Sequence, residues 1–253
     1  QGTGFEPRVM IKDKDGVTIA EFYAYSRLFR GGVASAVGDI DGDGVDEVVT
    51  APLSAGGPHV RIFDMQGGLK GQFMAYDPRF VGGLSISVGD IDDDGLAEIV
   101  TAPRAGGGPH IRIFDAKGGL KGQFMAYDPL FRGGVKVAVG DLDSDGSAEI
   151  VTAPASRGGP HVRIFDARGG LKGQFMAFTT EFRGGLTIGV GDVDADGVGD
   201  IVASQEIDQN IQVRIFDSRG TEKNRFPLFP EIESEEQPSN ILVADYTGDG
   251  LDD

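Results

Sequence analysis

The sequence predicts an all-β fold, most consistent with a β-propeller of five four-stranded blades, on three observations. One acidic phrase recurs at a fixed period, each period holds four short β-patterned runs, and no segment carries the spacing of an amphipathic helix. The phrase reads DIDGDGVDE, DIDDDGLAE, DLDSDGSAE, DVDADGVGD and DYTGDGLDD, starting at residues 39, 90, 141, 192 and 245. The first four starts lie 51 residues apart and the last 53.

The third unit shows the elements in order. Val135, Val137 and Val139 alternate with Lys136, Ala138 and Gly140, a period of two that suits a strand. The acidic loop follows, then EIVTAP, a Gly-rich link, PHVRIFD, a turn at ARGG, LKGQFMAF and finally TTEFRGG. Short runs rich in β-branched residues, bounded by Gly, Pro and Asp, give four strands per unit. The repeats span approximately 33–81, 84–132, 135–183 and 186–230. Residues 1–30 align with the second half of a unit and 240–253 with the first half, so one blade is expected to be shared between the two segments. On this reading 1–253 is a single propeller domain. A flat β-solenoid is the less favoured alternative, and further units in a longer chain would enlarge the wheel. The counterpart of Val48–Ala51 is missing from the shared blade, and the start at Gln1 rather than Met leads to the expectation of a processed or excised piece of a longer protein.

The acidic loops carry the chemistry. A hard cation such as Ca²⁺ takes six to eight oxygens at ~2.3–2.6 Å, and carboxylates at alternate loop positions supply them. Positions 1, 3, 5 and 9 are Asp39, Asp41, Asp43 and Glu47 in the first loop. The same set recurs as Asp90, Asp92, Asp94 and Glu98, as Asp141, Asp143, Asp145 and Glu149, and as Asp192, Asp194, Asp196 and Asp200. The fifth loop has Asp245, Thr247, Asp249 and Asp253. The position-7 carbonyls of Val45, Leu96, Ser147, Val198 and Leu251 are expected as further ligands, with a glycine at position 6 for the sharp turn. Up to five Ca²⁺ are expected, one per loop. An EF-hand is excluded, because position 12 is Thr50, Thr101, Thr152 or Ala203 where a bidentate Glu is needed, and a strand leaves the loop.

Composition agrees. The formal net charge is −17, and 19 of the 40 acidic residues sit at the named loop positions. Five bound Ca²⁺ would bring −17 to about −7, ordinary for a soluble surface. Such acidity argues against nucleic acid as partner. No apolar run approaches the ~20 residues of a membrane span, so membrane insertion is not expected. The absence of cysteine excludes disulfides.

At GDLDSDGSAEIVTAP the chain closely resembles the FG-GAP and VCBS repeat family, whose best-known members are the blades of integrin α-subunit propellers. The resemblance covers nearly the whole chain and implies Ca²⁺ binding by a loop between the first two strands of each blade. Thr247 and the fourth unit's replacement of Gly-Gly-Pro-His by Asp208–Gln212 depart from it.

On the opposite face the repeat places rings of His59, His110 and His161 and of Arg30, Arg132 and Arg183. One shared zinc is excluded, since ligand nitrogens around it lie within about 4 Å whereas packed sheets stand ~10 Å apart. Local hydrogen bonding is the simpler role for both rings; recognition of sugar or carboxylate in grooves beside Phe29, Phe131 and Phe182 is the functional one. Near-identical units offer no asymmetric catalytic cluster, so an enzyme is not expected. The leading expectation is a calcium-stabilised, non-catalytic binding or display module of an exported or cell-surface microbial protein, with a protein or glycan partner. The alternative is a lectin-like propeller with repeated pockets on the histidine face.

Overall fold

A computed structural model describes residues 4, 6–207 and 210–228. All regular structure in them is β. Four antiparallel four-stranded sheets follow one another along the chain, preceded by a two-stranded one. The latter pairs β1 (Arg8–Lys12) with β2 (Thr18–Tyr23). The first full sheet comprises β3 (Val33–Gly38), β4 (Glu47–Pro52), β5 (His59–Phe63) and β6 (Leu69–Met74), hydrogen-bonded in chain order. The next three repeat it. They are β7 (Leu84–Gly89) to β10 (Leu120–Met125), β11 (Val135–Gly140) to β14 (Leu171–Met176), and β15 (Thr187–Gly191) to β18 (Glu222–Leu228).

The first strands β3, β7, β11 and β15 pack against one another in sequence, and the fourth strands lie outermost. This is the arrangement of propeller blades around an axis. The expected closing strand from residues 240–253 lies outside the described residues, as does the Asp208–Gln209 part of the altered link. The two-stranded sheet packs on the first blade through Ile11, Ala24, Val33, Val48 and Phe63.

Burial follows from position in the blade. The second strand lies between two others and under the neighbouring sheets, so Glu47–Pro52 and its two Glu–Pro equivalents are buried at every residue. A strand covered on both faces reads as a continuous apolar run. The alternation in Val135–Gly140 does not become an inside and an outside, because Lys136 is only 6% exposed. Fourth strands alternate and are largely exposed. Their phenylalanines reach the next sheet, where Phe73 meets Phe114 and Phe124 meets Phe165 at ring separations of 4.7 and 4.8 Å. Tilted pairs of this kind contribute about 0.5–1.5 kcal/mol beyond their buried area.

Two glycine positions permit the close approach of blades. A Cβ on Gly89 would stand 2.6 Å from Val139 Cγ1, and one on Gly134, at φ +79°, would stand 1.5 Å from the Arg104 carbonyl oxygen.

Candidate metal centres

The register β3 to β4 pairs Gly38 with Glu47, so the eight residues between them form a hairpin loop that starts and ends on adjacent strands. Asp39 at its entrance organises the turn, its carboxylate accepting from the Gly42 and Gly44 amides at 2.7 and 2.9 Å. Desolvation works against the Asp39 charge, but these backbone donors outweigh it and hold its pKa below the ordinary value. Asp43 accepts from Val45 N at 2.9 Å, and Glu47 accepts from Ile40 N at 3.2 Å. The other loops repeat this scheme, with Glu98 accepting from Ile91 N at 3.1 Å and Glu149 from Leu142 N at 2.9 Å. Gly44, Gly95, Gly146 and Gly197 all have positive φ, as position 6 requires.

Each described loop brings three of its four acids together. Oxygens of Asp90, Asp92 and Glu98 lie within 4.8 Å of one another, as do those of Asp141, Asp143 and Glu149 and those of Asp192, Asp194 and Asp200. In the first loop the set is Asp39, Asp41 and Asp43. The position-9 acids are the buried members, at 1–3% exposure. Desolvation raises the pKa of Glu98 and of Asp200. In the fourth nest Asp200 Oδ2 is buried and has no hydrogen-bond partner. Hard oxygen donors around a buried carboxylate with one unpartnered oxygen fit a hard divalent cation, and the position-9 acids with positions 1, 3 and 5 would hold it. When bound, such an ion supplies positive charge that offsets carboxylate repulsion. The predicted fifth-loop ligands Asp245, Thr247, Asp249, Leu251 and Asp253 lie outside the described residues.

One member of each site was not foreseen. Lys70, from the second position of β6, reaches the first nest with its Nζ 2.5 Å from Asp41 and 2.7 Å from Glu47. Lys121 stands 2.8 Å from Asp92 and 2.7 Å from Glu98, and Lys172 stands 2.7 Å from Asp143 and 2.6 Å from Glu149. Lys223 stands 2.7 Å from Asp194 and 2.8 Å from Asp200. A sequence signal existed, since each lysine follows the first Asp of its loop by 31 residues. The turn between third and fourth strands shares an end of the blade with the acidic loop, which brings that lysine within reach.

At the opposite end the two rings are committed locally. Arg132 donates to the carbonyls of Pro129 at 2.5 Å and Phe131 at 2.9 Å, while Arg30 and Arg183 donate to the matching carbonyls of their own turns. His161 Nε2 lies 3.0 Å from Gln174 Oε1, and His59, His110 and His161 stack edge-on against Tyr25, Tyr76 and Tyr127. Burial, with an arginine beside each ring, lowers the histidine pKa values. Among the described residues, no group with metal-ligating spacing contains a histidine. Phe29, Phe80 and Phe131 lie under the Gly-rich links, within close range of Gly56, Gly107 and Gly158.

Residues 39–101 match the FG-GAP-like repeat. The FG-GAP-like segment runs from the first acidic loop through the second to Thr101 in β8, about a quarter of the chain, and the third and fourth blades repeat its loop and strand geometry. No curated protein matches the chain. Among solved structures, it is similar to the V. cholerae biofilm matrix protein Bap1, with 23% identity over 89% of this chain and 34% of that one at a TM-score of 0.49. It is also similar to the Dos1 propeller, with 18% identity over 87% of this chain and 51% of that one at a TM-score of 0.46. The chain thus spans about a third and about half of these two proteins. Among the described residues, no helix is long and apolar enough to cross a membrane.

Proposed function

We propose that this chain is a calcium-stabilised, non-catalytic binding or display module of an exported or cell-surface protein. The observation that carries this reading is the fourfold recurrence of a carboxylate nest at the same end of successive blades, three of the four including the buried position-9 acid. The Asp39 type of residue shapes the loop through its backbone hydrogen bonds, and it would hold the ion together with the position-3 acid and the position-5 or position-9 acid. Extracellular calcium is millimolar, and modules outside cells bind it at Kd values of about 10⁻⁴–10⁻³ M. A surface presented by stiff blades, away from the metal loops, suits a protein or glycan partner. The repeated-pocket lectin reading is weaker, because the arginines of that face are hydrogen-bonded to their own turns.

Isothermal titration with CaCl₂ tests the reading. We expect at least four ions per chain, and Glu98→Gln should remove one of them. Absence of binding up to 10 mM calcium would refute it.

A further inference from the structure

Each nest already contains a cation of its own. Four lysines from four fourth strands place Nζ between the position-3 and position-9 acids, at 2.5–2.8 Å from the nearest oxygens. In the second to fourth loops both acids belong to the cluster that could hold a divalent ion, and in the first loop Asp41 does, so an ion bridging Asp92 and Glu98 would compete with the Lys121 ammonium for their carboxylates. Two cations on one pair of carboxylates repel, and one must yield. The lysine is able to yield, for its side chain remains 26–35% exposed on a flexible stem at the rim of the blade. The buried acid cannot move out, being part of the β4-type strand.

From this geometry we infer that Lys70, Lys121, Lys172 and Lys223 are tethered counter-cations that determine calcium affinity. They neutralise the nests when the ion is absent and are displaced when it binds. The inference rests on the calcium reading of the loops. It gives each lysine opposite effects in two states: it stabilises the metal-free blade and weakens the metal-bound one. The sequence carries a matching contrast. In the sequence, the fifth loop has Thr247 in place of one carboxylate, and in the N-terminal segment that aligns with the second half of a unit Ile19 occupies the lysine position. One acid fewer accompanies the loss of the lysine.

The test uses the full chain at one pH. Lys121→Met keeps the apolar stem and removes the charge, and Lys117→Met, an exposed lysine on the turn before β10, controls for net charge. The expected result for Lys121→Met has two parts. Calcium should bind its site roughly tenfold more tightly by titration calorimetry, the scale of losing one charge-assisted hydrogen bond as competitor. The melting temperature in EDTA should fall below that of the parent chain. Lys117→Met should change neither. The quadruple Lys→Met variant should repeat both effects at all four sites, and Lys223→Met alone serves if the quadruple variant does not fold. An unchanged or weaker calcium affinity in Lys121→Met, or an equal gain in Lys117→Met, would overturn the inference while leaving the calcium reading intact. If neither parent nor variants bind calcium, the loops are not metal sites and the inference fails with them.

Discussion

The position-9 acids and Lys136 show how one buried charge differs from another. Glu47, Glu98 and Glu149 are nearly inaccessible, yet each accepts one backbone amide and one ammonium. Lys136 is also buried but lies beside a like charge. Burial first, and then the nearby Arg104 cation, push its pKa down from 10.5 to about 7. The unfolded chain therefore holds more protons than the folded one between about pH 7 and 10.5, so this group makes stability rise with pH across that window. Below about pH 7 the group is protonated in both states and its destabilising contribution is at its largest. Lys136→Met should raise the melting temperature at pH 6, and its advantage should shrink towards pH 10; thermal melts across that range measure it. A constant advantage at all pH values would contradict this account. Lys136 looked in sequence like the solvent side of an alternating strand. Both faces of β11 are covered over Val135–Ala138, and periodicity alone does not report that.

At the scale of the element, β-strands, hairpin loops and their order were legible because each carries its own punctuation. Asp-Gly pairs, Gly-Gly and Pro bound most runs, the Asp208–Gln209 link being an exception, and the carboxylate spacing marks the acidic loop. Contacts between units were less legible, because they join residues about 51 positions apart through small side chains. Gly89 is the clearest case, its missing Cβ giving room to Val139 of the next blade. Gly89→Ala should destabilise by about 1–3 kcal/mol through overpacking. In a double-mutant cycle monitored by urea unfolding, Val139→Ala in the same chain should recover part of that loss. Strict additivity of the two would mean that the blades are not in contact there. The lysines of the nests belong to the same class of missed feature. LKGQFM reads as an ordinary outer strand, and only the hairpin geometry delivers its second residue to the acidic loop.

Across the described residues the four acidic loops form a connected chain. The Asp39 carbonyl accepts from Ala97 N of the second loop at 3.0 Å, the Asp90 carbonyl from Ala148 N of the third at 2.8 Å, and the Asp141 carbonyl from Gly199 N of the fourth at 2.8 Å. Ordering one nest therefore supports its neighbour, and the ions are expected to stabilise the blades as a set. Ligand bound only to the folded state adds about 2.7 kcal/mol per site at 100 times Kd. For a chain of this length each kcal/mol moves the melting temperature by roughly 2–4 °C. The most direct measurement is the melting temperature of the full chain by scanning calorimetry in excess EDTA and in 10 mM CaCl₂. A rise of about 10 °C or more with calcium, absent with magnesium-free EDTA buffer, is the predicted result. Superimposable melts in the two buffers would contradict the claim that divalent cations hold the blades.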